Sequence, residues 1–262
     1  MIRQSEIRSG AIVAVLAIGL ALGRLADAKV IATEEFEDGS TRPVSVVVLP
    51  SEVSLVKQRV LRQEAQVEES GVLEEHLTAA VAAEFRARGY EVRLVDAAAI
   101  AADPRLNELV VDVNRRFDEL LTNIGSRLSK TKNVRAREYN AGDEARLLAG
   151  RLDVDALAFA RMEIVAPAGG VRALNLGVGG ETAMLTVTIV DGTTGDIEAF
   201  ITLPVTGRSK MFGGHDDIVE NPAEQMANYA AGTLGDLPVA NPLLRVEPSA
   251  EDVLSDLESL LE

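Results

Sequence analysis

The stretch TIVDGTTGDIEAFITLP, residues 188–204, limits what this chain can become. Leu185, Val187 and Ile189 alternate with Thr186 and Thr188. Beyond a cluster of Gly, Thr and Asp, Ile197, Ala199, Ile201 and Leu203 alternate with Glu198, Phe200 and Thr202. Successive strand side chains point to opposite faces, so two period-2 runs around a short turn predict a β-hairpin over 182–206. The cluster Asp191–Asp196 raises a second reading, backbone amides cradling an anion between two carboxylates. Glycines that reach positive φ and aspartates that cap their own backbone suit a turn, and no residue there is a nucleophile beside a base. The turn is the stronger reading.

The rest of the chain alternates strands and helices. PVSVVVLP, 43–50, is a Val-rich apolar run between prolines and reads as a buried strand. Residues 51–69 read as irregular, with a second strand near 53–60. Ser70 is a candidate cap for a helix whose Leu73, Leu77, Val81 and Phe85 form one stripe, with Gly89 ending it before the strand YEVRLV. Asp103-Pro104 starts a second helix, whose stripe runs through Leu106, Val110, Val113 and Phe117 and could reach Lys130. The basic patch Lys130, Lys132, Arg135 and Arg137 reads as a solvated loop. A third helix covers 143–152, with Leu147, Leu148 and Leu152 inward. DALAFARMEIV, 155–165, is a strand whose Ala158 and Ala160 suit close helix packing. Its other side carries Leu157, Phe159, Arg161 and Glu163, a face that turns wet towards the strand's end. The Gly-rich stretch 166–180 lacks both a phosphate-loop pattern and a dinucleotide fingerprint, so it reads as a loop between strands. Asn221, Pro222 and Glu224 open a last helix with Met226, Ala230 and Leu234 inward and Gly235 at its end.

Together these elements predict an α/β fold. The expectation is one domain, residues 43–237, with a mixed sheet of about five strands, packed helices, and a C-terminal hairpin followed by a helix. Residues 1–28 resemble a signal peptide: Arg3 and Arg8, the apolar run 11–23, then Ala26-Asp27-Ala28 before a cut after Ala28. Arg24 keeps an uncleaved inner-membrane anchor open. The run is short of the roughly 20 residues a membrane helix needs, so no stable insertion is expected after cleavage. Residues 29–42 read as a polar lead-in. Residues 238–262 read as a linker and an acidic amphipathic tail helix with Val253, Leu257 and Leu260 on one side. The expected location is periplasmic or secreted.

Charge and composition exclude several classes. A net charge of −15 disfavours nucleic-acid binding, which needs clustered cations. Zero Cys removes thiol nucleophiles, Cys-ligated zinc and iron–sulfur clusters, and leaves an exported fold to be held by its core alone. With no Trp, stacking platforms for sugars are disfavoured. No cofactor is expected.

Two histidines remain. His76 reads as a helix-boundary residue. His215 lies with Asp216, Asp217 and Glu220 within FGGHDDIVEN, a weak candidate metal set. Acids just before a helix N-terminus are favoured by its dipole anyway, and this reading outweighs a metal. No catalytic residue stands out. The interaction candidates are Phe200, with Glu198 and Thr202 beside it: exposed, Phe200 would mark a partner surface; covered by a helix, it is core.

The order of these segments carries a resemblance: VSVVVLP, then a helix into RGYEVRLVD, a helix into AGRLDVDALAFARM, then LTVTIVDGTTGDIEAFITLP and a final helix. This resembles bacterial envelope assembly proteins of the CsgG, LpoB, PelC and TolB amino-terminal-domain type, over roughly residues 43–235. The resemblance implies a compact α/β domain acting by assembly or protein contact. CsgG, LpoB and PelC are typically lipoproteins, and this chain lacks their anchoring Cys. The expectation is an exported non-enzymatic accessory protein of the cell envelope, serving biogenesis, secretion or assembly of a polysaccharide or surface structure. Its partner would be an envelope protein or further copies of itself. The alternative is a metal-dependent or hydrolytic periplasmic enzyme using the His215, Asp216 and Asp217 loop.

Overall fold

The computed structural model describes residues 28–58, 63–95, 97–124, 139–167, 182–206 and 221–240. The predicted leader up to residue 27, the basic patch 130–137, most of the Gly-rich loop, the His215 group and the tail helix lie outside the described residues. Among the described residues, no helix is long and apolar enough to cross a membrane.

The elements in order are β1 (Lys29–Ala32), α1 (Glu34–Asp38), β2 (Ser45–Val48), β3 (Glu52–Gln58), β4 (Gln63–Ala65), α2 (Val67–Ala87), β5 (Glu91–Leu94), α3 (Ala97–Ala102), α4 (Pro104–Ile124), α5 (Asp143–Leu152), β6 (Ala156–Pro167), β7 (Thr182–Asp191), β8 (Ile197–Thr206) and α6 (Pro222–Leu234). Among the described residues, eight strands join one mixed sheet, ordered β1-β8-β7-β6-β2-β5, with β3 on β6 and β4 on β3. The architecture is the expected α/β one. The strands beyond the expected five come from two places. The segment 29–42, read as a lead-in, is β1 and α1; within 51–69 the strand expected near 53–60 is β3, and the remainder, read as irregular, supplies β4 and the start of α2.

The parallel part is β6-β2-β5, with β3 also parallel to β6. Two crossovers leave β2 and β5 for opposite faces, as right-handed connections require when strand order reverses. On one face α2 and α6 bury Leu73, Leu77, Val81, Phe85, Met226, Ala230 and Leu234 against Val46, Val48, Ala158, Met162, Leu185, Val187 and Ile189. On the other, α4 and α5 bury Val110, Val113, Phe117 and Leu148 against Val47, Leu157, Phe159, Val190 and Phe200. Alternation along each strand feeds both clusters.

The second cluster stops halfway along the sheet. Arg161, Glu163, Met184 and Thr202 lie on its continuation and are only half-buried, which is the wetting expected along β6. Arg161 bonds to Asp118 of α4 and lies 3.6 Å from Glu52, tying helix to strand where the apolar cover ends. Leu147, expected inward, is 61% exposed; α5 turns Ala145, Leu148 and Ala149 to the sheet instead.

Strand β6 is long enough to hold two neighbours on the same side. Its first half pairs with β2, and its second half pairs with β3. The chain breaks between them at Pro50, which has no N–H to give.

Candidate functional site

Where an α/β sheet reverses strand order, the crevice at the carboxyl ends of the strands is the usual ligand position. Here that crevice lies beyond β2 and beside β3, and the chain fills it. The N–H groups of Ser51, Val53 and Leu55 face away from β6. They donate to Thr78 Oγ1 at 2.9 Å, Glu74 Oε1 at 3.3 Å and Ser70 Oγ at 3.2 Å. Acceptors at 70, 74 and 78 recur every fourth residue on one helix face, while donors at 51, 53 and 55 recur every second residue on one strand edge. The rise of about 6 Å over four helical residues and of about 6.6 Å over two strand residues nearly match. The flank of α2 therefore takes the place of a neighbouring strand. Ser70, expected to cap the helix, belongs to this ladder; α2 starts earlier, at Val67, and Ser70 Oγ donates back to Gln66 O. The space left near Pro50, Asn114, Phe117 and Arg161 is about 10 Å³, room for about one water.

The hairpin turn is equally committed. Asp191 Oδ1 accepts the N–H groups of Thr193 at 2.8 Å and Thr194 at 2.6 Å. Asn140 Nδ2 donates to Asp196 Oδ1 at 2.7 Å and to Thr194 O at 3.0 Å. Gly192 N donates to Asp155 O at 2.7 Å, and a Cβ on Gly192 would stand 2.7 Å from both that oxygen and Ala149 Cβ. Gly195 sits at φ +78°, open to glycine and strained for other residues. The amides that might have held an anion are used within the turn or, for Gly192, taken by Asp155 O. Asp155, the Asp of the Asp-Ala pair in the sequence, accepts from Val44 N and Ser45 N through Oδ2, and donates its own N–H to Ser45 Oγ. It fastens the starts of β2 and β6 to the turn.

The interaction candidates on β8 are internal. Phe200 is 7% exposed and packs in the cluster under α4 and α5, so it is core in this fold and not a partner surface. Glu198 is 2% exposed: its carboxylate accepts the Thr33 hydroxyl and, at 3.2 Å, that of Thr41. Thr33 N also donates to Glu198 O. Thr202 is half-buried opposite Lys29 of β1. The pattern expected of the hairpin fails at one point. Ile189 pairs with Ala199 but Val190 pairs with Ile197, leaving Glu198 as the extra residue of a β-bulge. The bulge puts Ile197 in the α4–α5 cluster, away from Ala199, and aims Glu198 at α1. Sequence alternation cannot reveal it, because an uninterrupted period-2 reading fits the same letters.

An open depression of about 340 Å³ lies at the amino ends of β2, β5 and β6, lined by Ser45, Glu91, Arg93, Gly150, Asp153 and Asp155. Arg93 donates to Leu152 O at 2.6 Å and stands 3.8 Å from Asp153. Among the described residues, no group of three or more His, Asp or Glu could hold a metal. His215, Asp216, Asp217 and Glu220 lie outside those residues.

No family profile matches the chain, and no curated protein does either. Among solved structures, the chain resembles PelC dodecamers from Paraburkholderia phytofirmans. A single-substitution variant matches at 12% identity over 78% of this chain and 97% of that one, with a TM-score of 0.36. A second crystal form matches at 13% identity over 77% and 94%, with a TM-score of 0.35. A lipoprotein of Neisseria meningitidis, GNA1162, matches at 14% identity over 71% and 98%, with a TM-score of 0.31. The likeness to envelope-associated proteins that the sequence suggested is thus found, as a likeness of outline from which no role is carried over.

Proposed function

We propose that this chain is an exported, non-enzymatic accessory protein of the bacterial cell envelope, acting through protein contact or self-assembly. One observation carries the reading. The crevice in which folds of this kind hold their ligands is filled by the Ser70, Glu74 and Thr78 ladder on β3. The leader-like residues 1–28 support export, and the turn that most resembled a site is spent on holding three segments together. Among the described residues, what this leaves for function is the outside of the sheet.

The test is recovery of the processed chain from the periplasm, then its size by light scattering and capture of its neighbours by crosslinking in cells. The expected result is an amino terminus after Ala28 and either a defined oligomer or a reproducible partner. A strict monomer that crosslinks to nothing would overturn the reading. So would a stoichiometric metal lost in His215→Ala or Asp216→Ala, because these variants are expected to fold and function as the parent does.

A further inference from the structure

The sheet has an edge that no described strand closes. Among the described residues, β5 pairs with β2 alone. Glu91 N donates inward to Val44 O at 2.8 Å, so Glu91 and Arg93 turn their backbone groups to β2. Val92 and Leu94, alternating with them, turn their N–H and C=O groups outward. Leu94 is 46% exposed, and no proline or bulge blunts the strand. Natural sheets usually protect such an edge, because it templates pairing with another chain.

We propose that β5 is the contact edge for a second copy of this chain, pairing antiparallel about a twofold axis through Val92. This names the surface for the self-assembly reading above and rests on that reading. Self-complementarity selects the occupant and the register. Centred on Val92, each Val92 exchanges two backbone hydrogen bonds with its twin, Glu91 faces the partner's Arg93, and the reciprocal pair repeats across the axis. Centred on Arg93 instead, two guanidinium groups face one another, which is unfavourable for directly opposed side chains. The strand EVRL therefore carries opposite charges at the two positions that a Val92-centred twofold brings together. Glu91 and Arg93 both line the open depression, where their side chains are exposed and reachable by a partner.

Sedimentation of the full chain, expressed with its own leader and purified as the cell processes it, tests this over a wide concentration range. Wild type is expected to dimerise reversibly. Glu91→Arg and Arg93→Glu should each weaken association about ten-fold or more, because both cross-strand pairs become like-charged, and the double exchange should return it to within about three-fold of wild type. Unchanged thermal midpoints establish that the single variants are folded. Association indifferent to either substitution, a double variant as weak as the singles, or a wild type monomeric throughout overturns the proposal. Self-association that persists through another surface, or a captured different protein, would sink this edge and leave the contact reading standing.

Discussion

Two edges on the same side of β6 receive opposite treatment. Along β3, the outward N–H groups of Ser51, Val53 and Leu55 are taken by side chains of α2, and β4 continues the cover. Along β5, one strand away, the outward groups of Val92 and Leu94 meet no strand among the described residues. The same helix lies over both, since α2 connects β4 to β5. The difference shows that the fold can close an edge with three short polar side chains at helical spacing. The open edge is thus a property of particular residues and not a limit of the architecture.

The largest expected effect comes from opening the sealed edge. Replacing Ser70 and Glu74 by Ala and Thr78 by Val strands three backbone donors, and about 3 kcal/mol of stability should be lost in urea unfolding. Glu74→Gln keeps an oxygen acceptor for Val53 N–H and should cost well under that. Next comes the far edge, where β1 is locked to the bulge: Glu198→Ala leaves the Thr33 and Thr41 hydroxyls without their carboxylate and should cost about 2 kcal/mol.

A smaller effect reads the start of β5. The Tyr90 hydroxyl donates to Pro238 O at 2.9 Å, and burial pushes its pKa up to about 12. The folded state holds that proton more tightly than the unfolded chain. Its contribution is therefore complete below about pH 10 and is lost as pH rises towards 12. Tyr90→Phe should cost about 1 kcal/mol at neutral pH and flatten the alkaline limb of the stability profile. Smallest of all, Arg93→Glu on the open edge should leave the stability of the single chain within about 0.5 kcal/mol of wild type, because its ion pair is solvent-exposed. An edge that carried the fold would lose more.

The sequence discloses what depends on periodicity. Leu73, Leu77, Val81 and Phe85 sit where the stripe put them, and Leu185, Val187 and Ile189 share one face. Met226, Ala230 and Leu234 are all buried. Segments too short to show a period stay hidden: KVIA and EEFED pass for a polar lead-in, yet Phe36 within them is fully buried. The bulge at Glu198 is invisible because it changes pairing without changing the letters. Phe200 illustrates the limit of reading a face from its neighbours. Its same-face neighbours in the sequence alternation, Glu198 and Thr202, are polar, but α4 and α5 cover that half of the sheet, and the half-buried residues Arg161, Glu163, Met184 and Thr202 lie beyond it. The Ser70, Glu74 and Thr78 ladder could have been suspected from its fourfold spacing on a helix beside a strand without a second neighbour. The His215 group lies outside the described residues, so its chemistry rests on the variants named above.

The amide exchange rates of Val92 and Leu94, followed as the protein is concentrated, test the account most directly. If β5 is the contact edge, both amides exchange fast in dilute protein and slow together as a second copy pairs, while Glu91 and Arg93, already bonded to β2, change little. Rates for Val92 and Leu94 that stay constant across the concentration range would contradict it.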